Sequence, residues 1–257
     1  MAEMSRTARA LDGATIVITG GASGIGLAAA QAAAEAGAAV MLADRNRVAL
    51  DAAHVELKRF DTPVGIHETE VSDAASVQNL FSATLSTFGR IDGLVTSAGI
   101  ERSVPALELT EDDFDEVLRV NLKGSFLCAQ AFGRALIDAG SGGSIVTVSS
   151  AVAFSGRPNA AQYTASKGAV VSLTKTLAIE WGPLGIRVNS VAPGLIDAPI
   201  AAGVAAEYRE AYASRTPLGR IGTPRDVAKV IRFLLSDEAA YVTGQTIVVN
   251  GGYLMPS

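Results

Sequence analysis

The run Thr19-Gly20-Gly21-Ala22-Ser23-Gly24-Ile25-Gly26 constrains this chain more than any other stretch. It follows an apolar segment, Ala14–Thr19, and opens an alanine-rich helical pattern, Ile25–Ala36. Glycines permit a tight strand-to-helix turn and close backbone approach to a phosphate, while the unpaired amides of a helix start attract its charge. The same residues would also serve an ordinary flexible turn, but a strand before and a helix after favour a cofactor site at Gly20, Ser23, Gly24, Ile25 and Gly26. The spacing departs from the common G-x-G-x-x-G order because the last glycines are shifted.

The alternation continues along the whole chain. Ala14–Thr19, Ala39–Ala43, Val64–His67, Gly93–Thr96, Ser144–Val148, Arg187–Val191 and Thr246–Val249 are predicted strands. Several are dense in Val and Ile without polar alternation, as expected when both faces of a sheet are covered. Helical patterns fill the intervals: Ile25–Ala36, Arg47–Phe60, Ala74–Phe88, Glu111–Ala139, Tyr163–Trp181 and Pro224–Leu235. This order predicts one α/β domain over residues 11–257, a doubly wound Rossmann fold with a seven-stranded parallel sheet flanked by helices. Thr110 before Glu111-Asp112-Asp113 reads as a cap with a box-like acid, and Thr223-Pro224-Arg225-Asp226 repeats that logic with proline in the first turn. The least regular stretch, residues 194–222, follows a strand and contains a short helical pattern, Ala201–Ala213, so it is expected to cover a substrate.

Composition excludes several classes. The net charge of -5, with no basic block, gives no electrostatic reason to expect nucleic acid as a partner. Cys128 is the single cysteine, so there is no disulfide framework. It sits in an apolar helical pattern and reads as a small core residue. Lys123 and Arg134 interrupt Val120–Leu136, which therefore does not read as a membrane span. Residues 1–10 lack the apolar core of a secretory signal and are expected to form a loose tail, with the cytoplasm as the expected compartment.

Two further features point to chemistry. Asp44 ends the second predicted strand, where a carboxylate can accept hydrogen bonds from an adenosine ribose and repel a 2′-phosphate. That favours NAD over NADP, as does the neutral Ser23, while the adjacent Arg45 offers a cation that partly opposes the preference. Tyr163 and Lys167 lie four apart on one predicted helix and share a face. A fixed cation beneath a phenol is expected to favour the phenolate and lower its pKa, which makes the phenol usable as an acid–base group near neutral pH. Ser150 lies upstream at the end of a strand. No metal is expected.

With these motifs in their order, the chain resembles the short-chain dehydrogenase/reductase family over nearly its whole length. The family's glycine motif matches Thr19–Gly26, its Asn-Asn-Ala-Gly motif corresponds to Thr96-Ser97-Ala98-Gly99, and its catalytic Asn, Ser, Tyr and Lys fall on Asn121, Ser150, Tyr163 and Lys167. Its Pro-Gly element falls on Pro193-Gly194, and Tyr241–Gln245 and Asn250-Gly251-Gly252 also fit. The resemblance implies that Ser150 orients the substrate oxygen and Tyr163 exchanges its proton. Lys167 stabilises the phenolate and bonds the nicotinamide ribose, and Asn121 supports a water-linked proton route. It adds Glu70, Val71, Ser97, Ala98, Gly99, Tyr163, Lys167, Pro193, Gly194, Ile196 and Ala198 to the cofactor surface, and it implies a homotetramer assembled through the helices of Glu111–Ala139 and Tyr163–Trp181.

There are departures from the family pattern. Thr96 and Ser97 replace two asparagines, Glu70 stands where relatives often have Asp, and Ala198 stands where they often have Thr. Hydroxyls at Thr96 and Ser97 are expected to donate and accept in place of the amides.

Substrate residues are expected at Glu101, Ser150, Val152, Gln162, Tyr163, Gly194 and Leu195, with Tyr208 and Tyr212 in the covering segment. Small and aliphatic neighbours with a few polar groups suit a small secondary alcohol, a polyol, a sugar derivative or a cyclic ketone. The expected reaction is NAD-dependent interconversion of alcohol and ketone. The alternatives are an NADPH-dependent ketone or 3-oxoacyl-thioester reductase, and a nicotinamide-sensing binding protein without turnover.

Overall fold

The computed structural model describes residues 10–255, so the expected tail lies outside the described residues except for Ala10. The strands are β1 (Thr15–Thr19), β2 (Ala39–Asp44), β3 (Val64–Glu68), β4 (Gly93–Thr96), β5 (Gly143–Val148), β6 (Ile186–Pro193) and β7 (Thr246–Val249). The α-helices are α1 (Gly24–Glu35), α2 (Arg47–Leu57), α3 (Ala74–Phe88), α4 (Glu111–Leu118), α5 (Gly124–Ala139), α6 (Val152–Ser155), α7 (Ala161–Trp181), α8 (Ala206–Arg215) and α9 (Pro224–Leu235). All seven strands run parallel in the order β3-β2-β1-β4-β5-β6-β7.

Alternate residues of each strand enter opposite cores, because the side-chain period of a strand is two. Ile16 and Ile18 join Val40, Leu42, Val95 and Val146 in one core under α1, α2 and α9. Val17 joins Met41, Leu94, Ile145 and Val188 in the other, under α3, α5 and α7. Helix α1 is alanine-rich and packs closely on α9, where Ala28 and Ala32 meet Ala228. The strand order reverses between β1 and β4. That switch point leaves a crevice beyond the carboxyl ends of the strands, where ligands of such folds bind.

Capping follows the sequence in most places. Asn46 accepts from the Ala49 amide and Asp73 from that of Ser76. Thr223 and Asp226 form a complete capping box. Arg220 bonded to Asp226, with Thr223 also bonding that carboxylate, holds it well below its ordinary pKa. At Thr110 the hydroxyl accepts from the Asp113 amide, but the Asp113 carboxylate bonds back to that hydroxyl, so the expected box is only half made.

Three predicted elements differ from the structure. Helix α2 stops at Leu57, short of Phe60. The covering segment holds a 3-10 turn, Pro199–Ala201, and then α8, because Pro199 starts the first and an extended Ala205 separates the two. Most consequential, the expected helix Glu111–Ala139 is interrupted by a π-helical segment, Arg119–Lys123. Polar anchoring at Asn121 overrides the continuous apolar period there. Such wide turns often mark functional positions.

The glycine turn is set by steric contact as well as by φ. Gly20 has φ 65°, and a Cβ there would lie 2.7 Å from the Ala98 amide nitrogen. A Cβ on Gly26 would lie 2.1 Å from the Gly20 carbonyl oxygen. Gly26→Ala is therefore expected to destabilise the fold by about 2 kcal/mol or more, since backbone rather than side chain must yield. Urea denaturation of the two proteins measures this, and equal midpoints would contradict the assigned close approach.

Candidate active site

One cleft of ≈ 690 Å³ runs across the carboxyl ends of the strands, a size suited to a cofactor and a small substrate. Of the cofactor residues expected from sequence, Gly20, Ser23, Gly24, Ile25, Asp44, Arg45, Glu70, Val71, Ser97, Ala98, Gly99, Pro193, Gly194, Ile196 and Ala198 line it. Ser150, Tyr163, Lys167, Glu101, Val152 and Leu195 line it as well. Gly26, Asn121 and Gln162 do not. Gly26 serves the turn itself.

The residues fit a dinucleotide. Ser23 at the start of α1 makes no side-chain cap bond, and the first turn holds no acid. The helix thus presents free amides and the positive end of its dipole to the cleft, as a pyrophosphate requires. Asp44 is oriented by the amides of Asn46 at 3.0 Å and Ala22 at 3.4 Å. Glu70 accepts from the Ser72 amide at 3.0 Å and hydroxyl at 2.8 Å, and Arg119 donates to that same hydroxyl at 2.6 Å. Burial opposes ionisation of Glu70. The two Ser72 bonds and the charges of Arg119 and Arg45 outweigh it and leave the pKa lowered. The Thr96 hydroxyl, expected to bond in place of an asparagine amide, is instead buried without a partner. A β-branched hydroxyl pinned in β4 is too short to reach one.

Helix α7 and the end of β5 bring the reacting groups together. The Ser149 hydroxyl donates to the Lys167 carbonyl at 2.8 Å and locks the helix to the strand. Ser150 lies in the same cleft, where its hydroxyl accepts from the Val152 amide at 3.4 Å and acts on the Tyr163 phenol to lower its pKa. The Lys167 ammonium sits 5.7 Å from the centroid of the Tyr163 ring and donates to the Val148 carbonyl at 2.8 Å. Both side chains are buried, at 9% and 5% exposure. Burial pushes the phenol up to about 12, with the Glu101 carboxylate adding to it and Ser150 and Arg157 opposing. Burial pulls the ammonium down to about 8 against the opposing charge of Glu101.

The expectation of a phenol made more acidic by its lysine is therefore corrected for the polypeptide alone. Desolvation of the phenolate dominates, and the ammonium bonds a backbone carbonyl beside the ring.

Asn121 lies beneath the cleft floor and is fully buried. The π segment lets its amide turn inward: Nδ2 donates to the Ile100 carbonyl at 3.0 Å and to the Ser166 hydroxyl at 3.1 Å, and Oδ1 accepts from the Ile100 amide at 2.8 Å. It braces the loop after β4 against α7. A Cβ on Gly99 would come within 3.2 Å of Asn121 Oδ1 and 3.5 Å of Lys167 Nζ, so a side chain there would crowd both. Gln162, expected to touch substrate, is fully buried and donates to the Arg102 carbonyl at 2.9 Å. Its place on α7 points it behind the cleft wall rather than into it.

Sequence reading missed Arg157, Arg215, Tyr253 and Leu254, all of which line the cleft. Arg157 pairs with Glu101. Gly156-Arg157-Pro158, a charge between two chain breakers just before Tyr163, was the available signal. Tyr253 stacks on Tyr212 with centroids 3.9 Å apart, and the Tyr212 hydroxyl accepts from the Leu195 amide at 3.2 Å. A Cβ on Gly194 would meet that hydroxyl at 2.5 Å and Asn250 Cβ at 2.7 Å, so strand, α8 and carboxyl-terminal turn converge on Gly194.

A helix start open to phosphate, a carboxylate at the end of β2, and Ser150 in one cleft with a buried tyrosine and lysine fit a nicotinamide-linked oxidoreductase of the Rossmann class. The comparisons agree. A family profile described as "Enoyl-(Acyl carrier protein) reductase" matches residues 20–254. The chain is 41% identical over 245 residues to the 3-oxoacyl-[acyl-carrier-protein] reductase of Thermotoga maritima, covering 95% of this chain and 99% of that protein. It is 41% identical over 238 residues to the cis-4-hydroxycyclohexanecarboxylate dehydrogenase of Sinomonas cyclohexanicum, covering 92% and 95%. A solved short-chain type dehydrogenase/reductase from Mycobacterium marinum superposes with a TM-score of 0.92 at 35% identity, covering 96% and 97% of the two chains. The chain belongs to the short-chain dehydrogenase/reductase family and is an oxidoreductase that works with a nicotinamide dinucleotide on small organic substrates. No helix among the described residues is long and apolar enough to cross a membrane.

Burial of Lys167 predicts a pH signature in stability. A folded-state pKa near 8 against an unfolded value near 10.5 means the folded chain releases this proton first, so Lys167 gains relative stability as pH rises through that window. The advantage of Lys167→Met over the parent should shrink by about 2 kcal/mol between pH ~8 and ~10. Chemical denaturation of both proteins at several pH values measures the difference, and a pH-independent gap would contradict a buried ammonium.

Proposed function

We propose that the chain is an NAD-dependent dehydrogenase that interconverts a secondary alcohol or polyol and its ketone. The observation that carries this reading is the meeting of Ser150, Tyr163 and Lys167 in the same cleft that Asp44 lines. Asp44 is the selecting residue for NAD, because its carboxylate accepts from ribose hydroxyls and repels a 2′-phosphate. Arg45 acts on Glu70, so part of its charge is already engaged. Gly20, Ser23, Gly24 and Ile25 hold the pyrophosphate.

The bound dinucleotide supplies the acceptor or donor of hydride. Ser150 orients the substrate oxygen by a hydrogen bond. In ketone reduction Tyr163 donates its phenolic proton to that oxygen, and burial keeps the proton in place until then. In alcohol oxidation the phenolate receives the hydroxyl proton, and Lys167 supplies the positive charge that makes the phenolate tolerable. Asn121 holds the loop and helix that frame this exchange and supports the proton route toward Lys167. Residues 194–222 cover the substrate: Ile200, Val204, Tyr208 and Tyr212 face the cleft from that segment. The working form is a cytoplasmic homotetramer. An apolar groove of Leu118, Leu122, Phe126 and Leu173 on the helices expected to mediate assembly supports it.

The similarity to the Thermotoga maritima enzyme favours a second reading, an NADPH-dependent ketone or 3-oxoacyl-thioester reductase. Steady-state turnover of a panel of secondary alcohols and polyols with each dinucleotide separates the two. The first reading expects kcat/KM at least about tenfold higher with NAD than with NADP, and a loss of about 10²–10⁴-fold in kcat for Tyr163→Phe with dinucleotide binding retained. Equal use of both dinucleotides would contradict the role of Asp44. Undiminished turnover by Tyr163→Phe would contradict the proton donor.

A further inference from the structure

Two charged side chains in the cleft carry neither the hydride nor the proton, although their charges act on the Tyr163 phenol. Glu101 lies on the loop after β4 and Arg157 on the loop between α6 and α7, and they form an ion pair inside the cleft. Their side chains retain only 20% and 29% of their exposure. The pair is held from behind. Gln162 donates to the Arg102 carbonyl at 2.9 Å, and Arg102 itself pairs with Asp113 and Glu116. The Val104 amide donates to the Asn159 carbonyl at 2.9 Å, tying one loop to the other. The cleft that holds the pair is also lined by Val152, Leu195, Ile200 and Val204, and both charges are largely withdrawn from water. Placing opposite charges in such surroundings gives little stability, because desolvation offsets their attraction. A rigidly backed pair facing a substrate cavity is better explained by recognition.

We propose that Glu101 and Arg157 together bind a second hydroxyl of the substrate, so that the favoured substrates are small, neutral diols or hydroxyketones. This inference rests on the dehydrogenase reading above and narrows it. A hydroxyl donates to the carboxylate and accepts from the guanidinium, so it satisfies both partners at once. A substrate carboxylate would face Glu101, and a substrate ammonium would face Arg157. A purely apolar group would desolvate both charges and return no hydrogen bond. The ion pair lines the same cleft as Ser150, Tyr163 and Lys167, so the second hydroxyl it binds belongs to the same small substrate.

The test compares kcat/KM for cyclohexanol, the cyclohexanediols, a hydroxycyclohexane carboxylate and an aminocyclohexanol, with NAD, in the parent and in Glu101→Gln, Arg157→Gln and the double variant. The double variant leaves no lone charge in the cleft, and NAD affinity reports whether each protein is folded. The parent should prefer at least one diol over cyclohexanol by about tenfold or more, chiefly through KM. The ratio should fall by about tenfold in the variants, as expected for loss of a hydrogen bond to a charged group. A ratio that the substitutions leave unchanged, or a parent that prefers the carboxylate or the amine, overturns the inference while leaving the dehydrogenase reading intact. Binding of NAD without turnover of any panel member contradicts that reading, and this inference falls with it.

Discussion

The structure is organised around two ionisable groups taken out of water together. Tyr163 and Lys167 share one face of α7, and β5 delivers Ser150 to the phenol and the Val148 carbonyl to the ammonium. Burial disfavours the charged form of each, so the phenol rises and the ammonium falls. Both therefore rest nearer neutrality than they would in water. The site is thereby poised: a charge introduced into the cleft moves both groups, and in a low-dielectric setting its effect is large. On the proposed function, the positive charge of a bound oxidised nicotinamide would favour the phenolate, and its loss on reduction would leave the phenol protonated.

Much of the remaining architecture keeps that arrangement fixed. The sheet presents all seven carboxyl ends to one side, with β6 and β7 running past β5, since Val148 pairs with Val191 and Pro193 with Val249. Asn121 reaches inward from a π segment to pin the Ile100 backbone and Ser166. Gly124, whose Cβ would come within 2.8 Å of Val71 Cγ2, lets α5 start close against the cofactor wall. Gly194 permits the convergence of β6, Tyr212 and Asn250. The Tyr212–Tyr253 stack, with the Arg215 guanidinium 5.2 Å above the Tyr253 ring, then forms part of the cleft wall. These contacts build a rigid first layer, which proton transfer over hydrogen-bond distances requires.

The fold was readable from periodicity because both faces of the sheet are covered. Strands such as Ile16–Ile18 are apolar throughout, and the helices between them carry caps at Asn46, Asp73 and Thr223. The lining of the candidate site was readable where a local motif reaches it, since Gly20, Ser23, Gly24, Asp44, Tyr163 and Lys167 all meet in one cleft. Three kinds of feature were hidden. The π segment interrupts a continuous apolar pattern, and only the fixed position of Ile100 explains it. Tyr253 enters the cleft through tertiary packing that no spacing encodes, and Arg157 was signalled only by the chain breakers on either side of it. The direction of the Tyr163 shift depends on how deeply α7 is buried, and pairing by sequence counts the neighbouring cation but misses the desolvation that outweighs it.

The most direct measurement is the titration of the Tyr163 phenol itself, followed by NMR of protein labelled at the tyrosine Cζ, with Tyr163→Phe identifying the signal. Without dinucleotide the phenol should remain neutral well past the ordinary value of about 10 and titrate toward about 12. With oxidised NAD its midpoint should move down. A midpoint at or below about 10 in the free protein, or one indifferent to NAD, would contradict the account of a buried pair poised by desolvation.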